Sequence, residues 1–447
     1  MIKTSIKKSV AAFLFLFAGV TAGFAQTATT DSASAAAQVT EFEINGLKVL
    51  VKRRPSAPTV AAGLFIRGGS RNIDQKNAGI EDLTLKVATE AGKKYTRQMV
   101  RRELSRTGSG IGATAGDDFS VVSLAATQPN FDRVWDIFVD VMLNPAFAAD
   151  DIERDRRASL SAIAQKDDTP EGALESGIER AIYAGHPYSN DTSGTAATIA
   201  SFKAADLIAW HKKIMETSRL LLVFVGDLDA NELKERIAAS FGKLPRGDYK
   251  EPPYPSLNFT KATLDVVTRP NIPTTYVEGV FNAPALKDDD YYAMEVAMNI
   301  LQQLVFQEVR VNRQLSYAPE AELNRSGANT ADISVSSTDP NESVRIMLEQ
   351  INNLRTQRLN DDIISEVAGN FLTTYYLGQE TSAAQAGELA RYELIGGGWR
   401  RSFEFLDRIR QVKSADVQAV SDKYMRNLRF VVVGDTAKIN RSIFLPN

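Results

Sequence analysis

Imidazole and thiol chemistry are scarce in this sequence. It has no cysteine, which removes disulfides, thiolate metal sites and cysteine nucleophiles together. It has two histidines, His186 and His211. Zinc chemistry needing two or three imidazoles must use both of them or come from elsewhere. They stand 25 residues apart with no companion at ligand spacing. His186-Pro187-Tyr188 reads as a loop turn and His211 as part of a helix over 204–214, so both are expected to be structural or surface residues.

Composition narrows the rest. The 447 residues are 44% hydrophobic and 24% charged, as in an ordinary soluble globular chain with room for two or three domains. Residues 1–25 read as a secretory signal: Lys3, Lys7 and Lys8, an apolar run from Val10 to Ala22, then Gly23-Phe24-Ala25 before cleavage. The run is too short to span a bilayer as a helix and no second long apolar run follows, so no membrane span is expected. An uncleaved N-terminal anchor is the competing reading. Loss of the leader takes three lysines and no acid, moving the net charge from −3 to about −6 and making nucleic acid an unlikely partner. Export to the periplasm is the expected localisation, with 26–39 a flexible tether rich in Thr, Ser and Ala.

The chain repeats itself. Ala126-Thr127-Gln128-Pro129-Asn130 matches Ser337-Thr338-Asp339-Pro340-Asn341, and Asp150-Asp151-Ile152 matches Asp361-Asp362-Ile363, both at an offset of 211. Val223-Phe224-Val225-Gly226-Asp227 recurs as Val431-Val432-Val433-Gly434-Asp435 at 208. Periodicity predicts corresponding strands over 60–66 and 275–281, helices over 79–91 and 291–311, and strands over 119–125 and 331–336. Helices follow over 130–142 and 152–165 in one copy and 342–354 and 363–377 in the other. The order does not alternate regularly. It indicates an α+β fold of two homologous lobes, each a mainly antiparallel sheet packed against helices. The lobes are expected at 40–247 and 262–447, with a Pro-rich linker at 248–261.

Several pieces, in this order, resemble the insulinase–pitrilysin family of zinc peptidases, in its bacterial two-lobed form: Arg67-Gly68-Gly69-Ser70-Arg71, Gly79-Ile80, His186-Pro187-Tyr188, Gly194-Thr195, Phe224-Val225-Gly226-Asp227 and Leu304-Val305-Phe306-Gln307-Glu308-Val309-Arg310. In that family an inverted His-x-x-Glu-His motif on the first helix holds zinc with two imidazoles on one face, and the intervening Glu takes a proton from water. The resemblance places Asp82 and Lys86 at the histidine positions, Leu85 at the base and Ala162 at a third ligand. It therefore implies a degenerate zinc motif and no metal in this chain, with Asp82 and Lys86 free to pair at i and i+4.

The resemblance also implies a partner. In paired members one chain binds zinc and the other supplies an Arg and a Tyr seven residues apart, which fall here on Arg310 and Tyr317. A guanidinium and a phenol suit a substrate carbonyl and the oxyanion of a tetrahedral intermediate. The implied function is the zinc-free subunit of a periplasmic heterodimeric metallopeptidase that degrades peptides, inactive alone, with zinc in a homologous partner subunit. By themselves Arg310 and Tyr317 read as a solvated helix residue and a half-buried strand residue, and Arg313 competes for the arginine role. A non-catalytic peptide-binding or scaffold protein of the same fold stays open, as does an inactive homodimer. The Gly-rich run Thr107–Thr114 resembles the edge strand that zinc-bearing members offer to substrate.

Overall fold

A computed structural model describes residues 35–445 except 167 and 256. The expected signal segment and most of the tether lie outside the described residues. Among the described residues no helix is long and apolar enough to cross a membrane.

The first lobe runs β1 (Val39–Ile44), β2 (Leu47–Arg53), β3 (Thr59–Arg67), α1 (Ile80–Glu90), α2 (Arg97–Thr107), β4 (Gly110–Thr114), β5 (Phe119–Thr127), α3 (Phe131–Leu143), α4 (Ala149–Lys166), α5 (Pro170–Ala181), α6 (Ala196–Ser201), α7 (Ala204–Ile214), β6 (Leu220–Gly226) and α8 (Ala230–Ala239). The second runs β7 (Thr263–Thr268), β8 (Thr275–Asn282), α9 (Asp290–Val305), a π-helical turn (Phe306–Asn312), β9 (Glu320–Leu323), β10 (Thr330–Ser337), α10 (Pro340–Thr356), α11 (Asp361–Gly378), α12 (Ser382–Ile395), α13 (Arg401–Gln411), α14 (Ser414–Tyr424), β11 (Arg429–Gly434) and α15 (Arg441–Phe444).

The sheets have orders β1-β2-β6-β3-β5-β4 and β7-β11-β8-β10-β9. Without β1 they correspond strand for strand. Each has one parallel pair, β2 with β6 and β7 with β11, and is otherwise antiparallel. The duplication seen in sequence is thus a duplication of topology. The extra β1 forms a hairpin with β2 through Asn45-Gly46, both at positive φ (50° and 83°), as a tight primed turn requires.

Each sheet is covered on both faces, and the two covers come from different lobes. The strand Leu220–Gly226 is buried at every residue. One face of its sheet packs on first-lobe helices through Leu83, Phe138 and Trp210. The other face, with Leu50, Phe65 and Val223, meets Ala386, Leu389 and Ala390 of α12 and Trp399 beyond it. Reciprocally, α5 lays Leu174 and Ile178 on Val280 and Val431 of the second sheet. Close approach explains a glycine in mid-helix: a Cβ on Gly177 would lie 2.7 Å from Val431 Cγ1. The exchanged helices start alike, Thr169 accepting from Gly172 N and Thr381 from Ala384 N. Neither sheet could hide both apolar faces alone, so exchange makes the lobes one folding unit.

Asp118 ties the lobes to the linker. The Tyr188 and Tyr254 hydroxyls both donate to its Oδ1 at 2.5 Å, and Gly327 N of the second lobe donates to the same carboxylate at 3.2 Å. Burial, with Asp118 alongside, raises both phenol pKa values. Arg71 stacks on Tyr254 at 3.7 Å and bonds Glu251 Oε1 at 2.6 Å. Residues of Arg67–Arg71 and His186-Pro187-Tyr188, two of the pieces carrying the family resemblance, therefore sit at the lobe junction.

Candidate functional site

α1 opens at Gly79, in the left-handed region at φ 83°, where a Cβ would lie 2.7 Å from Gly194 Cα. Ile80, Leu83 and Val87 recur at helical spacing and enter the core. Asp82 is almost wholly buried, and Lys86 Nζ donates to its Oδ2 at 2.6 Å. Burial raises the Asp82 carboxyl above its ordinary range, opposed by Lys86. Leu85, expected at the position of the family's base, is fully buried as a packing residue of the core. Ala162 is exposed on α4, whereas Ile152 and Ser159 of that helix are buried.

This donor set does not suit zinc. The Lys86 ammonium already bonds Asp82 Oδ2, and Leu and Ala supply no lone pair. Among the described residues no group of three or more His, Cys, Asp or Glu could hold a metal ion. The histidines are apart and committed elsewhere. His186 Nδ1 accepts from Tyr188 N and its Nε2 lies 3.2 Å from the Pro255 carbonyl. His211 Nε2 lies 3.0 Å from the Met142 carbonyl. Burial lowers both imidazole pKa values.

Sequence reasoning missed the strongest polar feature of α1. Glu81 is buried and its carboxylate accepts from Ser120 Oγ at 2.5 Å, Trp210 Nε1 at 3.1 Å and Arg219 Nη2 at 3.3 Å. Burial raises its pKa against the pull of Arg219. An acid and an arginine separated by 138 residues leave no local pattern to read.

The second lobe brings Arg310 and Tyr317 together. The helix predicted over 291–311 is α only to Val305 and then widens into the π turn that carries Arg310. After that turn Gln314 adopts φ 55°, Leu315 N donates to the Val309 carbonyl at 2.9 Å and Ser337 Oγ donates to the Leu315 carbonyl at 2.9 Å. The chain therefore doubles back and sets the Tyr317 ring 4.5 Å from the Arg310 guanidinium. Tyr317 is 79% exposed and lies in the connection to β9, not in a strand. Arg310 is half-buried and makes no ion pair among the described residues. Arg313 is instead paired with Glu308. The Gly-rich run resolves into Gly108, which caps α2 at φ 59°, and β4 at the edge of the first sheet.

The two duplicated lobes carry different polar pairs, Asp82–Lys86 on the first helix of one and Arg310–Tyr317 beyond the first helix of the other. The comparisons agree on the family. The model described as Insulinase (Peptidase family M16) matches residues 48–196, and that described as Peptidase M16 inactive domain matches 201–370. An uncharacterized zinc protease of Mycobacterium leprae is 23% identical over 400 residues, 85% of this chain and 87% of that protein. The crystal structure of a protease from Helicobacter pylori superposes with a TM-score of 0.79 at 18% identity, covering 89% of this chain and 99% of that one. A peptidase M16 inactive domain from Pseudomonas fluorescens gives 0.79 at 19% identity, covering 89% and 98%. The chain belongs to the insulinase family of peptidases, M16.

Proposed function

We propose that this chain is the zinc-free subunit of a heterodimeric peptidase of the periplasm, acting beside a homologous subunit that carries zinc. The observation that carries this reading is the open Arg310–Tyr317 pair in a chain whose own α1 is closed. A phenol and a guanidinium held together, the phenol exposed and neither paired with a carboxylate among the described residues, can donate to the carbonyl oxygen of a peptide bond as it gains negative charge. They cannot by themselves activate water. The missing general base and electrophile have to come from another chain, and relatives described as zinc proteases support a homologous one.

The test is reconstitution. The chain purified alone should cleave no peptide, and mixing it with the zinc-bearing homologue co-purified from native extract should create activity that neither has. Tyr317→Phe removes one hydroxyl from an exposed ring, so it should leave assembly intact and lower turnover. A complex with that variant working at the wild-type rate would overturn the reading in favour of a scaffold. Cell fractionation that leaves the protein in the cytoplasm would overturn the periplasmic assignment.

A further inference from the structure

The Arg310–Tyr317 pair stands on an irregular turn, and neighbouring side chains explain the irregularity. π-helical turns are rare and occur mostly singly within α-helices, frequently at functional sites. Phe306–Asn312 contains neither proline nor glycine to force one. Gln307 Nε2 donates to Asn312 Oδ1 at 3.0 Å, Asn312 Nδ2 donates to Glu308 Oε1 at 3.0 Å, and the Arg313 guanidinium is paired with Glu308 Oε2. Two of these three contacts join residues five apart. At 3.6 residues per turn such residues point about 140° away from each other around the axis, too far round to meet. In a turn closed by i→i+5 hydrogen bonds they come round to the same side of the axis, within reach of each other. The side-chain network therefore favours the wide turn over an α turn.

The wide turn has consequences for the site. Buried Val309 anchors it to the core, and the Val309 carbonyl receives the Leu315 N–H that folds Tyr317 back over Arg310. Glu308 also occupies Arg313 through two acceptors, its carboxylate and its carbonyl. The neighbouring guanidinium is thereby kept from the Tyr317 ring, and Arg310 alone meets it.

We propose that Glu308 is a positioning residue: its clasp on Asn312 and Arg313 holds the wide turn that aims Arg310 at Tyr317. Its effect on turnover rests on the subunit role proposed above, whereas its effect on the Arg310–Tyr317 contact does not.

The isolated full chain labelled with 3-fluorotyrosine provides the measurement. Fluorine NMR resolves the Tyr317 line, assigned by its loss in Tyr317→Phe, and Arg310→Ala marks the position of the unstacked ring. Glu308→Ala should carry the line most of the way to that mark with the melting temperature unchanged. In the reconstituted complex it should lower kcat about tenfold, as small misplacements of catalytic groups do, with KM little altered. The reversed pair, Glu308→Arg with Arg313→Glu, should return both line and kcat towards wild type. A Tyr317 line that does not move in Glu308→Ala overturns the positioning role, and so does a reversed pair that fails to restore it. If the line moves and is restored while turnover never changes, the clasp stands and the role of Arg310 and Tyr317 in a shared site is what fails.

Discussion

The first helix of each lobe occupies the same place in the same topology, yet the two do different things. α1 has 11 residues and ends as an ordinary helix, whereas α9 has 16 and runs on into a wide turn. Both carry a buried carboxylate opposed by an arginine from elsewhere in the fold, Glu81 by Arg219 and Glu295 by Arg325. What differs is the second polar pair: on α1 a partly exposed Lys86 bonds a buried Asp82, and beyond α9 an exposed Tyr317 lies against a half-buried Arg310. Both first helices thus keep a buried carboxylate with an arginine, and the polar pairs beside them differ. Core residues are constrained by volume and satisfied hydrogen bonds, while exposed ones are constrained only by what they bind.

The comparison can be broken first at the buried pair. Arg219 and Glu81 side chains are 2% and 5% exposed, so Arg219→Ala would leave a carboxylate without its charge partner. The expected cost is about 3–5 kcal/mol in denaturant unfolding. If stability is unchanged, Glu81 is held by Ser120 and Trp210 alone. On the functional side, Tyr317→Phe should cost the reconstituted complex about 10²–10³ in rate, roughly 2.7–4 kcal/mol. Arg310→Ala should do at least as much and Arg313→Ala less. The reverse order for the arginines would move the role to Arg313.

Lobe exchange predicts a smaller effect. Gly177→Leu forces a side chain between α5 and the second sheet and should destabilise by about 1–3 kcal/mol. Because α5 belongs to one lobe and its contacts to the other, the loss should appear as one cooperative transition shifted down. Two separate transitions would show that the lobes fold independently.

A pH effect follows from acids at the lobe seam. Burial and neighbouring carboxylates raise Glu278 to about 8 and Asp332 to about 7. Each therefore keeps its proton in the folded chain at pH values where the unfolded chain has released it. Stability should be highest in mild acid and fall as pH rises from about 5 through 8, lowering the melting temperature by roughly 2–6 °C. A melting temperature that rises across that range would contradict the burial of these groups.

Much of this was legible in the sequence because repetition and period survive without tertiary information. The Val-rich strands closed by Gly-Asp and the Asp-Asp-Ile helix starts show duplication directly, and duplication of an irregular strand–helix order yields the α+β class. Lobe exchange was not legible. The residues that carry it on α5 and α12 include Gly177, Ala386 and Ala390, chosen for close approach, and these make a weak apolar stripe. The wide turn was hidden for a related reason: its contacts at a spacing of five look like noise against an expected period of 3.6. The β1–β2 hairpin did have a signal, the Asn45-Gly46 pair.

The smallest expected effect lies on the closed helix. Lys86 is 44% exposed at its side chain and its partner Asp82 can take up a proton when left alone, so the pair stabilises α1 only slightly. Lys86→Ala should change stability by about 1 kcal/mol or less, because the buried Asp82 can be protonated in its place, and should leave the turnover of a reconstituted complex untouched. The same weakness bears on zinc. Freeing Asp82 from Lys86 yields one carboxylate beside a buried leucine, far short of the three or four ligands zinc demands. Metal analysis of purified wild-type chain and of Lys86→Ala should therefore find no stoichiometric zinc in either. One tightly held ion per chain would mean that the division of labour between closed and open lobes has been drawn in the wrong place.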